Sequence, residues 1–230
     1  MSVIVEFVGV PGVGKSTLSH QTAKILKSDH SHVAEPIRRV DNRSGLHRVL
    51  SKGRFAVEQA LRHPRTALST TEDLLKIDQT SSTDQVRVIF NLQYVSGVMT
   101  HAHLNHNVTL LDQGPYQGVW SVGLHSLSDW GYLFDHFEQF LSRTAPDLVV
   151  CVDAETDTIT DRLANRSGGD TRLSTDTAQF SRAVAGYEEL KTQLTTANCR
   201  TITVTNETEA DLEPNAARIA DEIRSLSQSN

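Results

Sequence analysis

Short runs of apolar residues alternate along the chain with longer segments in which apolar residues recur every three or four positions. The short runs are bounded by turn residues and several are rich in β-branched residues, so they predict strands at Val3–Val8, 32–34, Val108–Leu111, 148–152 and 201–204. The longer segments predict helices at 15–27, 46–63, 72–78, 83–106, 116–141, 176–195 and 210–226. Strands that alternate with helices form a parallel sheet covered on both faces. The pattern therefore predicts an α/β fold with a five-stranded parallel sheet.

Composition limits the class of protein. The chain has 230 residues, of which 38% are apolar and 22% charged, as in ordinary globular proteins, and we see no linker, so we expect a single domain over residues 1–230. The net charge of −6 argues against a nucleic-acid partner, because domains that bind polyanions are usually basic. Without a signal peptide or a transmembrane stretch, the expected location is the cytoplasm and no membrane partner is expected.

Residues 9–16 read Gly-Val-Pro-Gly-Val-Gly-Lys-Ser, which is a complete phosphate-loop motif directly after a predicted strand and before a predicted helix. The glycines let backbone N–H groups surround a phosphate, and the helix N-terminus adds a favourable dipole. Lys15 is expected to reach the β- and γ-phosphates of a nucleoside triphosphate, and the Ser16 hydroxyl to ligate Mg²⁺. The predicted nucleotide-binding residues are Gly9, Val10, Pro11, Gly12, Val13, Gly14, Lys15, Ser16 and Thr17.

The loop predicts a bound nucleotide but does not say how the nucleotide is used. A GTPase would carry an Asn-Lys-x-Asp tetrapeptide, which this sequence lacks. A motor or AAA-type ATPase would normally show an Asp-Glu pair at the end of the third strand, where this chain has Leu110-Leu111-Asp112-Gln113. A kinase that phosphorylates a small molecule is the class that remains.

Two carboxylates follow predicted strands. Glu35 comes after the second strand, and Pro36 favours an extended conformation for it at the edge where parallel sheets bind ligands. A carboxylate there can accept a proton from an acceptor hydroxyl. The alternative is that Glu35 only marks the start of a helix and has no chemical role. Asp112 follows the third strand and is expected to hold Mg²⁺ together with Ser16, directly or through water. A helix-capping role is the alternative for Asp112.

Taken in order, these features resemble the deoxynucleoside kinases and thymidylate kinases of the P-loop kinase superfamily. The resemblance is carried by the phosphate loop, by Ala-Glu-Pro at 34–36, by Phe-Asn-Leu-Gln-Tyr at 90–94 and by Pro-Asp-Leu-Val-Val-Cys-Val-Asp at 146–153. It implies a P-loop kinase fold, with Glu35 as the general base and Gln93 pairing with the base of an acceptor nucleoside.

The resemblance also implies an arginine-bearing lid at about residues 155–175. Arg162, Arg166 and Arg172 occupy a glycine-containing stretch there, and a guanidinium group binds phosphate oxygens bidentately. A solvated basic surface is the alternative for this stretch. Arg38, close to Glu35, could bind an anionic acceptor or lie in a solvated turn.

The sequence departs from both families at two places. Gln113 stands where both have an arginine after the acid of the third strand, and no cation follows Gln93 within 94–99. We expect a kinase that uses ATP and Mg²⁺ to phosphorylate a nucleoside, a nucleoside monophosphate or a similar small acceptor. The alternatives are a kinase for a non-nucleoside acceptor and a nucleotide-dependent switch or regulatory ATPase. The sequence does not decide between a monomer and a homodimer.

Overall fold

The computed structural model describes residues 2–29, 32–41, 45–105, 108–165 and 177–229. The strands are β1 (Val3–Val8), β2 (Val33–Ala34), β3 (Val108–Leu111), β4 (Leu148–Asp153) and β5 (Thr201–Thr205). The helices are α1 (Lys15–Ser28), α2 (Pro36–Asp41), α3 (Gly45–Arg62), α4 (Pro64–Leu75), α5 (Ser82–Leu104), α6 (Pro115–Gly123), α7 (Trp130–His136), α8 (Glu138–Arg143), α9 (Thr156–Ala164), α10 (Thr177–Thr196) and α11 (Leu212–Ser229). A 3₁₀ turn, Glu209–Asp211, precedes α11.

The strands form one parallel sheet in the order β2-β3-β1-β4-β5, so the predicted five-stranded parallel sheet is confirmed. Every residue of the central strand β1 is buried, because helices cover both faces. Helices α1 and α11 pack together on one face, while α6 lies on the other, with α5 and α10 against it. None of the helices in the described ranges combines the length and the apolar character that crossing a membrane requires.

The boundary between α3 and α4 differs from the sequence prediction. The predicted helix at 72–78 begins eight residues earlier, at Pro64, because proline lacks an N–H group and is well suited to the first turn of a helix. Ser69, three residues before the predicted start, therefore lies inside α4, where its hydroxyl donates to the carbonyl oxygen of Thr66. The region predicted as helical at 116–141 is divided into α6, α7 and α8.

Both tryptophans, Trp120 and Trp130, lie in the core. Trp120 donates its indole N–H to the carbonyl oxygen of Ala183 in α10. Trp130 lies between Gly123 and Gly186, where a Cβ atom on either glycine would clash with the indole ring. These contacts fix α6, α7 and α10 relative to one another beside the sheet.

Candidate active site

The phosphate-loop residues connect β1 to α1 at the carboxyl edge of the sheet. Gly9, Gly12 and Gly14 have φ values of 153°, 100° and 94°, a region that glycine adopts readily and other residues rarely do. A Cβ atom on Gly9 would also lie 2.6 Å from the carbonyl oxygen of Val152 in β4. The glycines that define the motif are therefore required by the backbone of the loop and by its close approach to the sheet.

The polar side chains of the motif gather where the loop meets α1. The Lys15 ammonium group donates to the carbonyl oxygens of Gly9 at 2.6 Å and Val10 at 3.2 Å, so it lies over the loop. Ser16 and Thr17 are exposed in the first turn of α1, where backbone N–H groups have no partner within the helix. The half-buried cation of Lys15 thus lies over the loop, and the two exposed hydroxyl-bearing residues follow it at the helix N-terminus.

Asp112 is brought to the same edge of the sheet. It follows β3, which pairs directly with β1, and the pairing of Leu111 with Glu6 places it level with Phe7, two residues before the loop begins. Its side chain is half-buried. Carboxylate and hydroxyl oxygens are the ligands that Mg²⁺ prefers. The side chains of Asp112 and Ser16 are therefore chemically suited to the Mg²⁺ site predicted from the sequence.

Three side chains hold the loop from outside the motif. Gln117 in α6 accepts a hydrogen bond from the Gly9 N–H at 3.0 Å. Asn206, which follows β5, donates to the carbonyl oxygen of Val13 at 2.7 Å. Arg162 in α9 donates through Nη1 to the carbonyl oxygen of Asn206 at 2.9 Å and, more weakly, to that of Val13 at 3.4 Å. Gln117 and Asn206 are not among the site residues predicted from the sequence.

The position of Arg162 differs in kind from the lid contact that the resemblance implied. Its Nη2 donates to the carbonyl oxygen of Glu207 at 2.9 Å, so both ends of the guanidinium group bind main-chain carbonyls. In this structure Arg162 joins the phosphate loop to the chain after β5. Arg166 and Arg172 lie outside the described residues, and the lid stays a prediction.

Along the direction of the strands, Glu35 lies before Asp112 and farther from the carboxyl ends of the strands. Strand β2 pairs through Val33 and Ala34 with Val108 and Thr109, the first residues of β3. In this register Glu35 is level with the residue two positions before Asp112, a distance of roughly 7 Å along the strands. Glu35, the predicted base, therefore does not lie level with the carboxyl ends of the neighbouring strands, where Asp112 and the phosphate loop lie.

The partners of Glu35 come mainly from α1. Its carboxylate accepts from Lys27 at 2.8 Å and lies 3.1 Å from His20 Nδ1, while Arg38 lies 4.0 Å away. Burial alone would raise the pKa of Glu35, but the hydrogen bonds and charges of Lys27 and His20 outweigh it and lower the pKa below its ordinary value. Its carbonyl oxygen accepts from the Arg39 N–H, so Glu35 is also the entry residue of α2. Glu35 is therefore ionised at neutral pH.

Gln93 is buried in α5 beside α4. Its Nε2 donates to the carbonyl oxygen of Ala67 at 2.7 Å and to the Thr71 hydroxyl at 3.0 Å. Its Oε1 is buried and has no hydrogen-bond partner among the described residues. A buried acceptor atom without a donor is energetically costly, and a ligand N–H group could satisfy it.

Glu6 is a buried acid that is not among the site residues predicted from the sequence. Its carboxyl group accepts from three backbone N–H groups at the start of α6: Gly114 at 3.1 Å, Tyr116 at 3.2 Å and Gln117 at 2.7 Å. Burial raises the pKa of Glu6 to about 8, although the three N–H donors act in the opposite direction. One sequence signal could have found it, because Glu6 is the only charged residue in the apolar run Val3–Val8.

No protein-family model and no curated protein sequence matches the chain. Among solved structures, the chain is similar to deoxyadenosine kinase from M. mycoides in three states. With bound dCTP the identity is 16% and the TM-score 0.55, covering 97% of this chain and 100% of that one. With dCMP and a flexible dCDP the values are 17% and 0.57, with the same coverage. With dATP they are 16% and 0.58, covering 96% and 99%. The P-loop kinase fold predicted from the sequence is therefore confirmed over nearly the whole chain.

Proposed function

We propose that this protein is a kinase that transfers the γ-phosphate of ATP, with Mg²⁺, to a hydroxyl group of a nucleoside or a similar small acceptor. The observation that carries the proposal is the complete phosphate loop beside Asp112, within a fold shared with deoxyadenosine kinases. The loop N–H groups, Lys15 and the first turn of α1 would bind the triphosphate. Such a site catalyses transfer by positioning the phosphates and neutralising their charge.

Ser16 and Asp112 would hold the metal ion, which neutralises charge on the phosphates when it is bound. The Ser16 hydroxyl is exposed at the loop, and Asp112 lies at the end of the neighbouring strand. Glu35 would accept the proton of the acceptor hydroxyl. Its lowered pKa keeps it ionised. Because Glu35 lies before Asp112 along the direction of the strands, the acceptor would have to extend from the phosphate loop along β2 and β3 to reach it.

A nucleoside is the favoured acceptor because of Gln93. Its Nε2 is engaged by α4 and its buried Oε1 lacks a partner among the described residues, which suits an N–H group on the edge of a nucleobase. Arg38, half-buried beside Glu35, would lie near the rest of the acceptor. A kinase for a non-nucleoside acceptor is the second candidate, because Gln113 replaces the arginine found in both nucleoside and nucleotide kinases.

The test is a screen for ADP release from ATP and Mg²⁺, with nucleosides, nucleoside monophosphates, sugars and small alcohols as acceptors. We expect a nucleoside to stimulate ADP release strongly, and Lys15→Ala to abolish that stimulation. Lys24→Ala is the matched control, since Lys24 is an exposed residue on the same helix. Stimulation by sugars or alcohols alone would favour the second candidate. Nucleotide binding without stimulation by any acceptor would contradict the proposal and favour a switch.

A further inference from the structure

Gln117 links the helix that follows Asp112 to the first residue of the phosphate loop. It is the third residue of α6 and only 4% of its surface is exposed. Its Oε1 accepts from the Gly9 N–H at 3.0 Å across 108 residues of sequence. The N–H group of the first loop glycine therefore has a side-chain partner outside the loop.

Glu6 holds Gln117 in turn. One carboxyl oxygen of Glu6 accepts from the backbone N–H groups of Gln117 and Gly114, and the other from that of Tyr116. The N–H groups in the first turn of a helix have no partner within the helix, so Glu6 serves as their cap from a neighbouring strand. A Cβ atom on Gly114 would lie 2.5 Å from Glu6 Cδ, which shows how closely the two elements meet.

These bonds join three parts of the proposed site into one frame. Glu6 lies on β1, three residues before the loop begins, and α6 begins three residues after Asp112. The side chain of Gln117 completes the network, because it connects α6 to the loop by accepting a hydrogen bond from the Gly9 N–H. The loop and the segment that follows Asp112 are thus joined by the same buried hydrogen-bond network.

The Gly9 contact also fixes a peptide orientation. Gly9 has a φ of 153° and lies against the carbonyl oxygen of Val152, so its N–H group has little freedom to find another partner. A buried N–H group that loses its acceptor is strongly unfavourable, and the loop would rearrange to satisfy it. The orientation of the following loop N–H groups, which would bind phosphate, depends on that peptide.

We propose that Gln117 is a positioning residue for nucleotide binding, which acts by holding Gly9, and that Glu6 supports it. The inference rests on the proposed function in one respect, that ATP is the ligand of the loop. Gln117 acts through the backbone of Gly9 and needs no contact with the nucleotide.

The test compares Gln117→Met with Gln59→Met. Gln59 is an equally buried glutamine in α3, whose amide bonds to Ser96 and Thr100 at 3.0 and 2.8 Å, so both variants lose buried amide hydrogen bonds. The measurements are the Kd of ATP with Mg²⁺ by calorimetry, without acceptor, and hydrogen exchange of the Gly9 amide. We expect Gln117→Met to raise the Kd about tenfold, equivalent to one lost hydrogen bond, and to speed Gly9 exchange. Gln59→Met should change neither.

The variant Gln117→Glu keeps an acceptor atom at Oε1 and should keep the Gly9 amide protected, which provides a second readout if Gln117→Met does not fold. A folded Gln117→Met protein with wild-type Kd and wild-type Gly9 exchange would overturn the inference, as would an equal loss of affinity in Gln59→Met. If the wild-type protein does not bind ATP, the proposed function fails. Gly9 exchange then still decides whether Gln117 holds the loop.

Discussion

The side-chain amide of Asn206 donates to the carbonyl oxygen of Val13 at 2.7 Å, joining the end of β5 to the phosphate loop across 193 residues of sequence. Asn206 is buried, and a Cβ atom on Gly14 would clash with its Nδ2. Gln117 holds the beginning of the loop and Asn206 holds its end. The loop is thus fixed on both sides by residues outside its own motif.

Replacing Asn206 should destabilise the protein more than replacing a comparable asparagine at the surface. Asn206→Ala removes the shorter of the two hydrogen bonds to the Val13 carbonyl oxygen, leaving it only the weaker one from Arg162, and should reduce the free energy of unfolding by about 1–3 kcal/mol. Asn206→Asp should cost more, because it places a carboxylate oxygen against that carbonyl. Asn215→Ala is the control, since Asn215 makes a similar but exposed bond to the carbonyl oxygen of Thr205. Urea unfolding with equal losses for both alanine variants would contradict this prediction.

Glu35→Gln should separate catalysis from structure. If Glu35 is the general base, kcat should fall about 10²–10⁴-fold, while the Kd of ATP should barely change because Glu35 serves the acceptor. The substitution also weakens the ion pairs with Lys27 and His20. Lys27→Met is the control, since it removes the shortest of these contacts but keeps the carboxylate. Steady-state kinetics in which both variants lose activity equally would assign Glu35 to the ion-pair cluster alone.

Glu6 predicts a pH dependence of stability. Its pKa is raised to about 8 from an ordinary value of 4.5, so between these values the unfolded chain releases a proton that the folded protein keeps. The contribution of Glu6 to stability should therefore be complete below about pH 4.5 and decline as pH rises to about 8, by up to about 1.4 kcal/mol per pH unit. The free energy of unfolding should fall less steeply over this range in Glu6→Gln, which cannot titrate. Parallel profiles for the two proteins would rule out this role.

Local sequence signals predicted the strands and the phosphate loop, because each is encoded within a few neighbouring residues. The apolar run Val3–Val8 and the glycines that follow it need no distant partner to be recognised. The contacts of Gln117 and Asn206 with the loop span 108 and 193 residues, and neither residue belongs to the phosphate-loop motif. Such contacts depend on the order of the strands, which a single sequence does not state.

For Glu35, the sequence predicted the residue but not its surroundings. The Ala-Glu-Pro pattern placed it correctly after a strand, but the shortness of β2 and its pairing with the start of β3 determine how far along the sheet it lies. The lysine and histidine that accompany it come from α1, eight and fifteen residues earlier in the chain. The type of residue was predictable, and its surroundings required the register of the sheet.

Arg162→Lys distinguishes a structural clamp from a purely electrostatic lid contact. The guanidinium group binds the carbonyl oxygens of Asn206 and Glu207 through two different nitrogens, an arrangement that a lysine ammonium group cannot reproduce. As a clamp, Arg162 should matter without nucleotide, so both Arg162→Lys and Arg162→Ala should lower the melting temperature of the free protein by a few degrees.

The control for Arg162 is Arg218→Ala, because Arg218 also donates to a carbonyl oxygen of β5, that of Thr203, but from an exposed position away from the loop. We expect a smaller change in melting temperature for this variant, in keeping with the small effect of most exposed substitutions. Differential scanning fluorimetry with and without ATP provides the measurement. If Arg162→Lys melts like the wild type without ATP and loses only the stabilisation that ATP gives, then Arg162 leaves the loop on binding and acts on the phosphates as the lid prediction requires.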